Sequence, residues 1–243
     1  MLYFELLCGA SGDMILASLV DLGVPLSYLR GCLRRLEIPG LRIKQTRGVR
    51  AGRSCLQLAI TWSEVRQREY RNLAAILALL KRGEYQPTVV ATCRRILNRL
   101  AEAESQVHDV AVEHVHFHEI GAVDTVVDVL GFALALDYLE VEQVLFSTLT
   151  VGSGTVDTAH GRLSLPAPAT RVMLSGFRVR PLDTGTEILT PTGCAILTVC
   201  GRQVSGGQEA GNAEDRRLGE GFGCGQKNIP GFPDYLRVLH LSR

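Results

Sequence analysis

Over residues 87–107 apolar side chains recur at helical spacing, with Val89, Val90, Cys93, Ile96, Leu97 and Leu100 on one stripe. Similar patterns predict helices over 14–22, 27–36 and 72–81, the second stopped by Pro39 and Gly40. Residues 122–139 are apolar almost all round the cylinder, the mark of a helix buried on every side. Pro168 opens a short helix to 175. Thr190 and Pro191 open another, because threonine suits the N-cap and proline the first helical position. Short apolar or alternating runs at 2–7, 41–47, 54–62, 144–151, 177–181 and 235–241 predict strands, with Gly48 and Gly52 between the second and third. The tail, with glycines at 219, 221, 223 and 225, predicts two final strands around a turn. The fold class expected is α+β: mixed short strands, about seven, with six or seven helices. The chain forms one compact domain or two closely packed lobes, 1–110 and 111–243. The stretch 201–215, poor in apolar residues, is expected to be a mobile excursion.

The chemistry gathers in residues 112–131, which hold three of the six histidines and four acidic residues. His114, His116 and His118 alternate with Val115 and Phe117, so a strand over 114–118 would put the imidazoles on one face and the apolar pair on the other. Glu119 follows, and Gly121 ends the run. Asp124 and Asp128 lie four apart on the buried helix and share a face, which Gly131 and Ala135 continue with small side chains. Buried carboxylates need cations, donors or a metal. His116, His118, Glu119 and Asp128, with Asp124 close by, make a mixed imidazole and carboxylate set suited to borderline divalent metals. The spacing matches neither HExxH nor a cysteine zinc finger. Two plainer readings stand beside this one. Asp124 can simply complement the helix dipole, and Asp128 can pair with an arginine.

Composition narrows the class. With 243 residues, 46% hydrophobic and 21% charged, the chain is long enough for a sizeable core. A formal net charge of +1 gives no reason to expect nucleic acid or an anionic membrane as partner. No apolar run is long enough to span a bilayer, and no signal peptide is evident. Seven cysteines, an odd number without a CxxC pair, read as reduced core residues of a cytoplasmic protein.

Two further loops carry candidate binding groups. The first strand runs into CGASGDM, where Gly9, Ser11, Gly12 and Asp13 precede a helix. This is the layout of an anion-binding loop without a P-loop or dinucleotide signature, and Asp13 there suits a metal or a hydrogen-bond donor better than a phosphate. Equally, Ser11 can be a cap and Asp13 a first-turn acid. The second loop follows 144–151. Ser153, Gly154 and His160 sit in a glycine-rich segment that permits close backbone approach, although a surface-turn histidine fits as well. Thr190 and Thr192 offer hydroxyls and amides at a helix start.

Several segments together resemble the LarC family of nickel-insertion proteins. They are GASGDM at 9–14, DLGV at 21–24, GVRA at 48–51, HFHEIGAVDTVVDV at 116–129, GSGTV with AHGRL in 152–163, PAPAT at 166–170 and LTPTGCAIL at 189–197. The tail GEGFGCGQKNIPG is similar to the ending of that family's N-terminal part. HFHEIGAVD and LTPTG are specific when found together.

The resemblance implies an enzyme, a cyclometallase of the lyase class. It would insert Ni(II) into pyridinium-3,5-bisthiocarboxylic acid mononucleotide and form the nickel-pincer nucleotide. It implies CTP with magnesium or manganese, handled by a C-terminal domain that this chain does not contain and that a separate polypeptide could supply. Combined with the residues themselves, it makes Asp13 and Asp124 candidate catalytic groups and His116, His118, Glu119 and Asp128 candidate metal ligands. Gly9, Ser11, Gly12, Ser153, Gly154, His160, Thr190 and Thr192 become candidate substrate contacts, with the nucleotide phosphate expected at 152–154 and 190–193. The sequence departs from the family at two places. WSEVRQREYRNL, before the helix at 72, contains no histidine where members carry a histidine-rich stretch, and the first strand has Glu5 in place of aspartate. A metal-dependent hydrolase and a non-catalytic metal-binding scaffold remain the rival classes, and a homo-oligomer is compatible with all three.

Overall fold

Alternate residues of the first strand enter different environments. Leu2, Phe4 and Leu6 belong to the main core, whereas Tyr3 joins Leu145, Leu239 and Leu241 in a small cluster of its own. The chain is described by a computed structural model over residues 1–63, 72–115, 117, 122–158, 161–204, 213 and 216–242. In chain order the elements are β1 (Leu2–Leu6), α1 (Gly12–Leu22), α2 (Leu26–Arg34), β2 (Arg42–Arg50), β3 (Arg53–Thr61), α3 (Leu73–Arg82), α4 (Pro87–His108) and α5 (Ala122–Tyr138). There follow β4 (Val144–Phe146), β5 (Leu149–Gly152), β6 (Thr155–Thr158), β7 (Gly161–Ser164), α6 (Pro168–Met173), β8 (Val179–Leu182), α7 (Pro191–Cys200), β9 (Gly201–Gln203), β10 (Arg217–Gly223) and β11 (Leu236–Leu241).

Seven strands form one mixed sheet in the order β2-β3-β10-β11-β1-β4-β9. It takes β1, β2 and β3 from the first 110 residues and the other four from the remainder. β5 pairs with β8 and β6 with β7 in two small sheets. The α+β class therefore holds. Eleven strands are present among the described residues against about seven expected, because strands of three or four residues carry too little periodicity to read.

Glycine decides how α1 meets the sheet. A methyl group on Gly221 would meet the Leu22 amide at 2.5 Å, and one on Gly223 would sit 2.6 Å from the Ser18 amide. The alternate glycines of the tail are thus the bare face of β10, on which the helix backbone lies directly. Asp21 pins the far end of α1, accepting from the Phe222 amide at 2.9 Å and from Arg47 at 2.6 Å. α5 is buried as its all-round apolar pattern predicts, with Val123, Val126, Val127, Val129, Leu130 and Phe132 each almost fully enclosed. The small face at Gly131 admits Leu16 of α1, whose Cδ atoms would lie 2.8 Å from an added Cβ.

Three local expectations are corrected. The run 144–151 is two strands in different sheets, divided where the Ser147 hydroxyl accepts from the Leu6 amide at 2.9 Å. The turn of the β2–β3 hairpin is Ala51-Gly52, both at positive φ, with Gly48 inside β2. The described residues of the histidine run are not a strand: Val112–His114 is a single 3-10 turn, and Val115 and Phe117 lie in no regular element. Both are buried in the main core, whereas His114 is exposed. His116, His118 and Glu119 lie outside the described residues, as do 205–212 and 214–215 of the excursion expected at 201–215. Phe117 is 4% exposed. Phe117→Ala is expected to cost about 3–5 kcal/mol in denaturant unfolding, and a loss below about 1 kcal/mol would show that the ring is not part of the core.

Candidate functional site

The first turns of α1, α5 and α7 converge, and long-range backbone contacts hold them there. Ala10 bridges Leu189, and the Thr190 amide donates to the Ala10 carbonyl at 3.1 Å. Gly193 lets the start of α7 approach that same carbonyl, which an added Cβ would overlap. Thr190 is the N-cap of α7 as its sequence predicts, accepting from the Gly193 amide at 3.2 Å. The hydroxyls of Thr125 and Thr192 meet across α5 and α7 at 3.5 Å.

A cavity of about 510 Å³ opens between these helix starts and β3. Asp13, Asp124, Asp128 and Glu187 line it with Ser11, Thr190, Thr192 and Gln226, and no arginine, lysine or histidine is among its described lining residues. A smaller hollow of about 190 Å³ shares Ser11, Asp13, Glu187, Thr190 and Gln226 with it and adds Asp234 and Lys227. The ionisable groups are mainly acidic, so the field favours a cation over a phosphate.

Burial dominates the acid chemistry. It pushes the Asp13 carboxyl up, against the Ser11 hydroxyl and the Met14 amide, both of which donate to the ionised form. Ser11 occupies the N-cap position, but its hydroxyl serves Asp13 rather than a helix amide. Burial, with the charge of Asp13 second, raises Asp124 to about 6. Asp128 is driven well above the ordinary carboxylate range by burial, then by Asp13 and Asp124. Its Oδ1 is buried with no hydrogen-bond partner among the described residues. Neither Asp124 nor Asp128 pairs with an arginine or lysine among the described residues. Gly12 is required here for packing, because an added Cβ would overlap the Asp128 carboxylate. Asp234 is also buried and pushed up by burial; it accepts from the Ile229 amide at 3.2 Å and lies 3.9 Å from Arg50 Nε.

The fold thus brings Ser11, Gly12, Asp13, Asp124, Asp128, Thr190 and Thr192 together. Gly9 stands behind them at φ +75°, packed on the Ile188 carbonyl. Ser153 and Gly154 are not among the lining residues; the Ser153 amide and hydroxyl both donate to the Leu182 carbonyl. His116, His118, Glu119 and His160 lie outside the described residues. Among the described residues no three His, Cys, Asp or Glu side chains are placed to hold one metal ion. All seven cysteines are free, and five are buried, as the sequence suggests.

Glu187, Gln226, Lys227 and Asp234 were not legible as site residues. Gln226 and Lys227 follow the alternate glycines directly, and a strand lying bare beneath a helix delivers its next residues to that helix's start. The amide of Gln226 donates to the Leu58 carbonyl at 2.7 Å, which holds it at the cavity wall. No local pattern marks Glu187.

The family described as nickel insertion protein matches residues 2–242. A relative from Geobacter sp. (strain M21) is 40% identical over 238 residues, covering 98% of this chain and 60% of that protein. A relative from Pelobacter propionicus is 42% identical over 243 residues with the same coverage, and one from Dictyoglomus thermophilum is 35% identical over 237 residues. All three are named for nickel insertion. The chain spans about three-fifths of the length of these curated relatives, 60% of the first. No solved structure matches it.

Proposed function

This chain belongs to the nickel insertion protein family, the LarC family, and on that premise we propose that it is the metal- and substrate-binding part of a nickel-inserting enzyme. The substrate proposed is pyridinium-3,5-bisthiocarboxylic acid mononucleotide, and the product its nickel-pincer form. The observation that most supports this is the Asp128 Oδ1 atom, buried without a donor in a cavity whose larger part presents acids and no described cation. An unsatisfied buried carboxylate is costly, and a divalent cargo would relieve it.

Nickel here is a substrate. His116, His118 and Glu119, with Asp128, are its proposed ligands; imidazole and carboxylate donors suit Ni(II). Insertion breaks a ring C–H bond, the electron pair forms the carbon–nickel bond, and the proton needs a base. Asp124, at about 6, is ionised in large part near neutrality and is the proposed acceptor. Asp13, its carboxylate oriented by Ser11 and the Met14 amide, would position the cationic pyridinium ring. CTP with magnesium or manganese is assigned to the part of the relatives that this chain does not span. A cytoplasmic place of action belongs to the same reading; no helix among the described residues is long and apolar enough to cross a membrane.

Thermal unfolding with nickel, with chelator, and with nickel plus the mononucleotide tests this. Nickel at a hundredfold excess over its dissociation constant should stabilise the chain by about 2.7 kcal/mol. The mononucleotide should add to that shift, and Asp128→Asn should reduce it. The effect should weaken as pH falls through the histidine range, where protons compete for the imidazoles. A transition unmoved by nickel at any practical concentration would remove the carboxylates from the ligand set.

A further inference from the structure

The cations missing from the acidic cavity are gathered in a second hollow. α2 and the start of β2 enclose a depression of about 440 Å³ in which Arg30, Arg34, Arg42 and Lys44 surround an apolar floor that includes Leu33 and Ile38. No acidic residue is among its described lining residues. The whole chain has a formal net charge of only +1, so this is a local concentration of charge and not a general bias.

The four cations are not spent on the fold in the same way. Arg30 is anchored, with Nε and Nη2 donating to the Ile43 carbonyl at 2.9 and 2.6 Å. The side chains of Arg34, Arg42 and Lys44 make no ion pair or hydrogen bond with a described residue. β2 is an edge strand, and basic side chains on an edge commonly discourage pairing with another chain. That accounts for charge along β2, and Arg30 reinforces it by occupying an edge carbonyl. It does not account for Arg34, contributed by α2, or for an apolar-floored hollow. The volume falls in the range of small-molecule sites, roughly 300–1,000 Å³. Paired guanidinium groups favour carboxylate and phosphate oxygens, and the floor favours an apolar or aromatic body.

We propose that this depression binds a small organic anion of about mononucleotide size, with a phosphate or carboxylate head and an apolar or aromatic body. Its place in the sheet is specific. Arg42, Ile43 and Lys44 pair with Thr61, Ile60 and Ala59, which line the acidic cavity. Two sites of opposite sign therefore share the β2–β3 ribbon.

Calorimetric titration of the chain with adenosine monophosphate and with 1-naphthoate tests the assignment. Adenosine and inorganic phosphate serve as the separated halves. At least one of the two complete anions should bind about tenfold or more tightly than either half. Stronger binding of the phosphate compound identifies a phosphate head, and stronger binding of naphthoate a carboxylate head. The double variant Arg34→Glu/Arg42→Glu should lose about tenfold or more in affinity, whereas Asp124→Asn should keep it. If the double variant does not fold, Arg34→Gln and Lys44→Gln are measured against the same criterion. The proposal is overturned if neither anion binds at millimolar concentration or if inorganic phosphate binds as well as the complete anions. It is also overturned if the charge-altered variants retain affinity, or if Asp124→Asn abolishes it.

Discussion

Asparagine at position 128 should stabilise the nickel-free protein near pH 7, and the gain should shrink to almost nothing as pH falls to about 4. Burial, followed by the charges of Asp13 and Asp124, holds the Asp128 carboxyl well above its model value of 3.8. Between the unfolded and folded pKa values the native state keeps a proton that the unfolded chain has released. The stabilising contribution is therefore complete below the unfolded value of 3.8 and is lost as pH rises toward the folded value. Asparagine never ionises, so most of that slope should vanish. Asp124 acts in the same direction over a narrower window, from 3.8 to about 6. Urea unfolding of wild type and variant in chelator, across this range, measures the difference. A wild type that becomes steadily more stable toward pH 7, with the variant weaker throughout, would mean that Asp128 is ionised and paired.

Gly223→Ala should cost more than about 4 kcal/mol or prevent folding, a large effect for one methyl group. The added carbon would overlap the Met14 carbonyl and lie 2.6 Å from the Ser18 amide. Both are helix backbone, so no rotamer change can relieve the contact. α1 would have to lift from β10, taking Asp13 away from Asp124 and Asp128. Gly225→Ala is the matched control, because its nearest neighbours are Met14 side-chain atoms at 3.5 Å, an ordinary contact. It should cost less than about 1 kcal/mol. Similar denaturation midpoints for the two variants would show that the helix does not rest on the glycine face.

The helices and the shared face of Asp124 and Asp128 were legible because helical geometry repeats every few residues and needs no partner to define it. The N-cap at Thr190 was legible for the same reason, since its bond to Gly193 closes within one turn. Alternation at 114–118 was a weaker guide. It indicated which side chains are buried, Val115 and Phe117, but a strand also needs a neighbour. The tail, with glycines at 219, 221, 223 and 225, was legible as two final strands around a turn, and β10 and β11 are those strands. What Gly221 and Gly223 do, leaving β10 bare beneath α1, depends on which helix arrives.

By itself, then, the sequence determined the helical segments, the buried character of α5, the presence of two acids on one of its faces, and membership of a family through motifs spread along the chain. Tertiary structure alone decided that Asp13 joins those acids, that Glu187, Gln226 and Asp234 stand near them, and that Asp128 Oδ1 is left without a partner among the described residues. The physical reason is range. Periodicity and capping follow from bond geometry over a few residues. The cavity exists because residues far apart in the chain, such as Ala10 and Leu189, are bridged, and because burial there withholds the water that would otherwise keep each carboxylate ionised and satisfied.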